Sequence, residues 1–102
     1  MKRTRRRYLS FNLHSEDPSL DDKKLGPAIW KNLLSLYGEV SAADSKLYLV
    51  EYDEKNGTGI LHCTASSLNK VITASVLIGS IGKSRILFEP RKVSGTIRSL
   101  KR

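Results

Sequence analysis

From residue 7 to residue 14 apolar and polar side chains alternate, with Leu9, Phe11 and Leu13 on one side and Tyr8, Ser10 and Asn12 on the other. A period of two marks a strand with one buried face. A polar turn over residues 15–19 follows. The period then changes, and Ile29, Trp30, Leu33, Leu34 and Tyr37 recur at helical spacing. Ser19 is placed to cap this helix, and Asp21 and Asp22 lie near its positive end. Pro27 either kinks the helix or begins a second one as its first residue. Gly38 suits the left-handed position past a helix end. After a loop over residues 39–45, residues 46–53 read as a strand. Its alternation puts Tyr48, Val50 and Tyr52 on one face and Leu47, Leu49 and Glu51 on the other. Asn56-Gly57 marks a turn. Residues 59–64 are the returning strand, 67–81 a second helix and 85–89 a last strand, while residues 93–100 fit a short strand or a helical turn.

The β-α-β-β-α-β order predicts an α+β fold. It is the order of a ferredoxin-like sandwich, akin to the RNA-recognition motif, with a four-stranded antiparallel sheet and both helices on one face. In that arrangement the first and last strands are antiparallel neighbours. A length of 102 residues suits a single domain over 1–102, small enough that a partner could add burial. No apolar run is long enough to span a bilayer. The basic start is not followed by the apolar stretch of a secretory signal. Cys63 is the single cysteine, so no internal disulfide forms. A cytoplasmic protein without membrane attachment is expected.

Charge changes the picture. The net charge is +8, and its distribution is uneven. Residues 1–7 form a basic arm with Lys2, Arg3, Arg5, Arg6 and Arg7 and no acid. The basic tail 91–102 holds Arg91, Lys92, Arg98, Lys101 and Arg102. The body between is slightly acidic. Such asymmetry points to a polyanion, and pairing of the first strand with the last would bring the two basic ends together. Lys and Arg bind phosphates by direct contact and by releasing condensed counterions, and Arg adds forked, bidentate contacts. Tyr8, inside the cluster, could stack on a base or serve as an amphipathic tyrosine at a sheet edge. The plain alternative is a pair of solvated tails that aid solubility. The expected third strand, Gly59-Ile60-Leu61-His62-Cys63-Thr64, has no aromatic residue of the kind the RNA-recognition motif stacks on bases, so that mode is not expected.

Little in the chain suggests catalysis. His14, His62 and Cys63 are too few and scattered for a zinc site. His62 and Cys63 point to opposite faces of a strand and form no thiol–imidazole pair. Glu16, Asp17, Asp21 and Asp22 suit a helix start better than a metal site. Gly82-Lys83-Ser84 imitates the end of a phosphate-binding loop but precedes a strand, whereas such a loop opens a helix. An acylphosphatase-like enzyme would need an anion-cradling first loop, and here that loop is acidic. The second helix has a thin polar side, chiefly Asn69, Lys70 and Thr73. Either the helix is buried inside the domain or its outer side packs on another protein, and the second is the expectation, with Val71, Ser75 and Ile78 meeting the partner.

Several segments, in order, resemble the archaeal ribonuclease P protein component 2 family, which is also found in the eukaryotic enzyme. They are Arg7-Tyr8-Leu9-Ser10-Phe11, Ala28-Ile29-Trp30, Leu36-Tyr37-Gly38-Glu39, Glu51-Tyr52-Asp53, Thr58-Gly59-Ile60-Leu61-His62-Cys63 and Val93-Ser94-Gly95-Thr96-Ile97. The resemblance implies a non-catalytic subunit of ribonuclease P. That ribonucleoprotein removes the 5′ leader of precursor transfer RNA, and its RNA carries the chemistry. The implied partners are the ribonuclease P RNA, precursor tRNA, and ribonuclease P protein component 3 with other proteins of the complex. The pair with component 3 can assemble as a dimer of heterodimers. No cofactor is implied for the protein itself, and magnesium is expected for the RNA-catalysed reaction. A ribosomal or other RNA-assembly protein would explain the charge equally well but not the ordered motifs.

Overall fold

The alternation of residues 7–14 becomes the middle strand of a sheet. The computed structural model describes residues 5–16, 22–81 and 84–101. The expected cap Ser19, Asp17 and Asp21 of the acidic cluster, and Lys2, Arg3, Gly82, Lys83 and Arg102 lie outside these residues. Strand β1 (Arg6–Ser15) is followed by α1 (Asp22–Ser45), β2 (Tyr48–Asp53) and β3 (Thr58–Thr64). A 3₁₀ turn (Ala65–Ser67) leads into α2 (Leu68–Val76), then β4 (Ser80–Ile81), β5 (Ser84–Ser94) and a short α3 (Ile97–Leu100). The sheet order is β2-β3-β1-β5-β4, and every pairing is antiparallel. The fold is therefore mixed α+β. The sheet has five strands where the sequence suggested four. α2 stops at Val76, and the chain turns back through Gly79, whose carbonyl accepts from Ile86 N at 3.1 Å. Ser80 and Ile81 then pair with Arg85 and Ser84. Glycine is among the poorest helix formers, which favours ending the helix before residue 79 rather than at 81.

α1 runs through Pro27 without separating into two helices there. Leu25, Ile29 and Leu33, on either side of it, are fully buried along one stripe. The break falls instead at Gly38, with φ 86° and ψ 174°, a conformation essentially restricted to glycine. The chain is helical again over residues 39–45, expected to be a loop, and returns Ala42 and Ser45 to the interior.

One face of the sheet meets α1 and α2. Phe11 lies at its centre, stacked on Phe88 (ring centroids 4.5 Å apart) and, further off, on Tyr52 (6.3 Å). Opposite Phe11 on β3 stands Gly59. A Cβ there would come within 2.5 Å of Phe11 Cζ and 2.9 Å of the Glu51 carbonyl, so glycine is the residue that admits the ring. Val71, Ala74 and Ile78 join this core.

That placement corrects the expected partner face of α2. Val71 and Ser75 are fully buried and Ile78 nearly so. The stripe they form is the one that seals the domain, and the helix presents Asn69, Lys70, Thr73, Val76 and Leu77 to solvent instead.

A second correction concerns β2. Leu49 pairs with Leu61, but the next partner, Ile60, faces Glu51, so Val50 is an extra residue. Such a bulge reverses the alternation beyond it. Tyr48 and Tyr52 therefore point to opposite faces, Tyr52 toward Phe11 and Tyr48 away from the helices. β5 carries a matching irregularity. Ser10 pairs with Lys92 and Phe11 with Pro90, leaving Arg91 over.

Candidate nucleic-acid interface

The face of the sheet away from α1 and α2 is built by the even residues of β1 and their cross-strand partners. Tyr8 pairs with His62, and His62 with Tyr48. The result is an aromatic row across three strands. Tyr48 stacks on His62 at 4.4 Å, and Tyr8 meets the same ring edge-on at 5.3 Å. His62 Nδ1 lies 2.9 Å from the Lys46 carbonyl. A carbonyl can only accept, so Nδ1 carries the proton and the ring orientation is fixed. Tyr8 is 6% exposed and Tyr48 52%. The ring expected to stack on a base is thus enclosed, and the one open to solvent is Tyr48, which the sequence reading did not single out. The one-residue bulge at Val50 hides this row from any count along a single strand.

The two bulges also decide which charges share this face. Without the extra Val50, Glu51 would point toward the helices. Without the extra Arg91, Lys92 would do the same, because even-numbered residues of β5 before the bulge, Ile86 and Phe88, are the buried ones. With both bulges, Glu51 lies opposite Ile60, and Lys92 opposite Ser10. Ser10 Oγ accepts from Lys92 N at 3.0 Å.

Beyond Ser94 the chain crosses over the same face. Thr96 caps α3, its hydroxyl oxygen accepting from Ser99 N at 3.3 Å. α3 lies on β1 and β5. Lys101 then reaches Glu51 on β2, Nζ to Oε1 at 2.8 Å. A cleft of about 380 Å³ remains beneath the tail, walled in part by Ser10, Ile60, Arg91, Lys92, Leu100 and Lys101. Arg91 lies 3.7 Å from Glu89, which also takes a hydrogen bond from Asn12 Nδ2 at 3.3 Å.

The expected juxtaposition of the basic ends is present in its main feature. Tyr8 pairs with Ser94, so Arg5, Arg6 and Arg7 lie where the tail leaves the sheet. Arg7 Nη1 would be 3.6 Å from a Cβ placed on Gly95. Arg5 and Arg6 are exposed, and the ion pairs seen among the described residues do not involve them. Arg91 and Lys92 stand further along β5, level with Ser10 and Phe11. The basic residues therefore form a band along β1 and the tail, with Arg98 on α3, which lies on β1 and β5.

Other chemistry is sparse. Cys63 is buried, and burial pushes its thiol up to about 11, against a smaller opposing influence from Arg7. That thiol stays protonated and is a poor nucleophile. Among the described residues no group of three or more His, Cys, Asp or Glu could hold a metal ion, and no helix is long and apolar enough to cross a membrane.

The sequence as a whole is similar to that of known proteins. A family model described as the Rpp14/Pop5 family matches residues 7–102. The ribonuclease P protein component 2 of Archaeoglobus fulgidus is 37% identical over 100 residues, covering 98% of this chain and 88% of that protein. The protein of the same description from Pyrococcus furiosus is 34% identical over 100 residues, with 98% and 82% covered. That from Methanosarcina mazei is 26% identical over 96 residues, with 94% and 80% covered.

Proposed function

The chain belongs to the Rpp14/Pop5 family, and we propose that it works as a protein subunit of ribonuclease P, taking part in transfer RNA processing. The observation that carries this reading is the match of nearly the whole chain to proteins described as ribonuclease P protein component 2. In this reading the protein is cytoplasmic and its 102 residues act as one RNA-binding domain. The sheet is a ferredoxin-like sandwich with β4 added at its edge. The protein binds and helps fold the RNA that carries the chemistry, and magnesium serves that RNA rather than a site on the protein. The basic band along β1 and the tail supports RNA contact, since surface cations release counterions from a polyanion on binding. A pairing with protein component 3 is supported by apolar side chains left open on the helical side, chiefly Val40 (75% exposed) and Leu77 (62%). They replace Val71, Ser75 and Ile78 as the surface to test.

Reconstitution tests the assignment. An archaeal ribonuclease P RNA with component 3, at limiting magnesium, should cleave precursor transfer RNA faster when this chain is added. Absence of stimulation, with tight binding to unrelated structured RNA, would favour an assembly role instead. Replacing Arg5, Arg6 and Arg7 together by Ala should weaken RNA binding and lower its salt slope by roughly 2, given about 0.7–0.9 per phosphate contact.

A further inference from the structure

The ion pair between Lys101 and Glu51 has an unusual placement. Lys101 follows β5, and Glu51 lies on β2, with β3 and β1 between those strands. The tail must cross the outer face to make the contact. Glu51 faces that side because of the bulge at Val50, and Lys92, across the same cleft, faces it because of the bulge at Arg91. Two irregularities thus point an acid and a base at one cleft. Both partners of the pair are about half exposed, 59% for Lys101 and 48% for Glu51, and an exposed pair contributes little to stability.

We propose that this cleft is a phosphate site for the RNA backbone and that the Glu51 carboxylate occupies the phosphate's position until RNA arrives. The idea rests on the RNA-binding reading above. A carboxylate and a phosphodiester present the same kind of charged oxygen to an ammonium group. Lys101, with Lys92 and Arg91 on the cleft wall, can exchange one for the other. Glu89 does the same for Arg91 less closely, at 3.7 Å. The acid offsets one charge of the basic tail and so reduces its attraction for other polyanions. It is displaced by a ligand that offers several phosphates at once and gains the counterion release that a carboxylate does not.

A double-mutant cycle tests this, with affinity for ribonuclease P RNA measured across a range of salt. Glu51→Gln should bind about two- to fivefold tighter, the range an exposed pair allows. Glu39→Gln, equal in charge change but on the exposed side of α1, should show a smaller gain. Lys101→Gln should weaken binding and lower the salt slope by about 0.7–0.9. In the Lys101→Gln background, Glu51→Gln should give no more than the Glu39→Gln gain. Equal effects of Glu51→Gln and Glu39→Gln, or a Glu51→Gln gain that survives Lys101→Gln, would overturn the inference while leaving RNA binding intact. No salt-dependent binding by the unsubstituted chain would overturn the RNA-binding reading and the inference with it.

Discussion

Leu61 and His62 are neighbours on β3, yet they belong to different environments. Leu61 faces the helices and joins a dry core in which Phe11 is stacked between Phe88 and Tyr52. His62 faces the other way, in an aromatic row that ends in the half-exposed Tyr48 and beside a cleft lined with charge. The inner face is held by packing that water cannot replace. The contacts of the outer face are ion pairs and ring contacts that a ligand can replace in kind. One sheet thus separates the residues that keep the chain folded from those free to exchange partners.

The sharpest way to break this contrast is at Phe11. Phe11→Ala should cost about 3–5 kcal/mol in chemical denaturation. A cost below about 1 kcal/mol would mean that the outer face, not the core, carries the sheet. Cys63 probes the dryness of the same face through pH. Its thiol ionises near 9 in the unfolded chain but is pushed up to about 11 in the fold. The stability it contributes is complete below about pH 9 and is lost as pH rises through about 11. The total is at most about 3 kcal/mol, at about 1.4 kcal/mol per pH unit. Cys63→Val should flatten the alkaline limb of a stability–pH curve, and an unchanged limb would place water beside the thiol. On the outer face, Tyr48→Ala should cost only about 0.5–1.5 kcal/mol, the value of an aromatic contact beyond its buried area. A loss as large as that of Phe11→Ala would erase the distinction between the faces.

The inner face was largely legible in the sequence. Leu9, Phe11 and Leu13 alternate with polar residues, and that alternation identifies both the strand and its buried side. The adjacency of β1 and β5 followed from the order of elements. The outer face was not legible, and the reason is geometric. A bulge is a mismatch in count between two paired strands, so the extra Val50 and Arg91 leave no mark in the alternation of either strand alone. Strict alternation therefore puts Glu51 on the wrong side and hides the row through Tyr48 and His62. Helix α2 failed for another reason. A stripe through Val71, Ser75 and Ile78 is equally consistent with facing a partner or facing the core, and only the position of α1 and the sheet decides between them. Residues 39–45 were unreadable because so little of that segment is buried, Ala42 and Ser45 alone among its residues.

The position of β1 between β3 and β5 has a consequence for how the chain reaches its fold. Of the strands in this sheet, the one made first is the one whose second edge is covered last, since Tyr8 waits for Ser94 and Leu13 for Phe88. Local hairpin closure through Asn56-Gly57 cannot supply that partner. Contacts so distant along the chain slow folding, because loop-closure entropy is lost before they form. Throughout synthesis of the intervening segment, the nascent protein therefore carries an open, apolar strand edge of the kind that pairs with neighbours, and the arginines at its start are the charges best placed to keep those neighbours away.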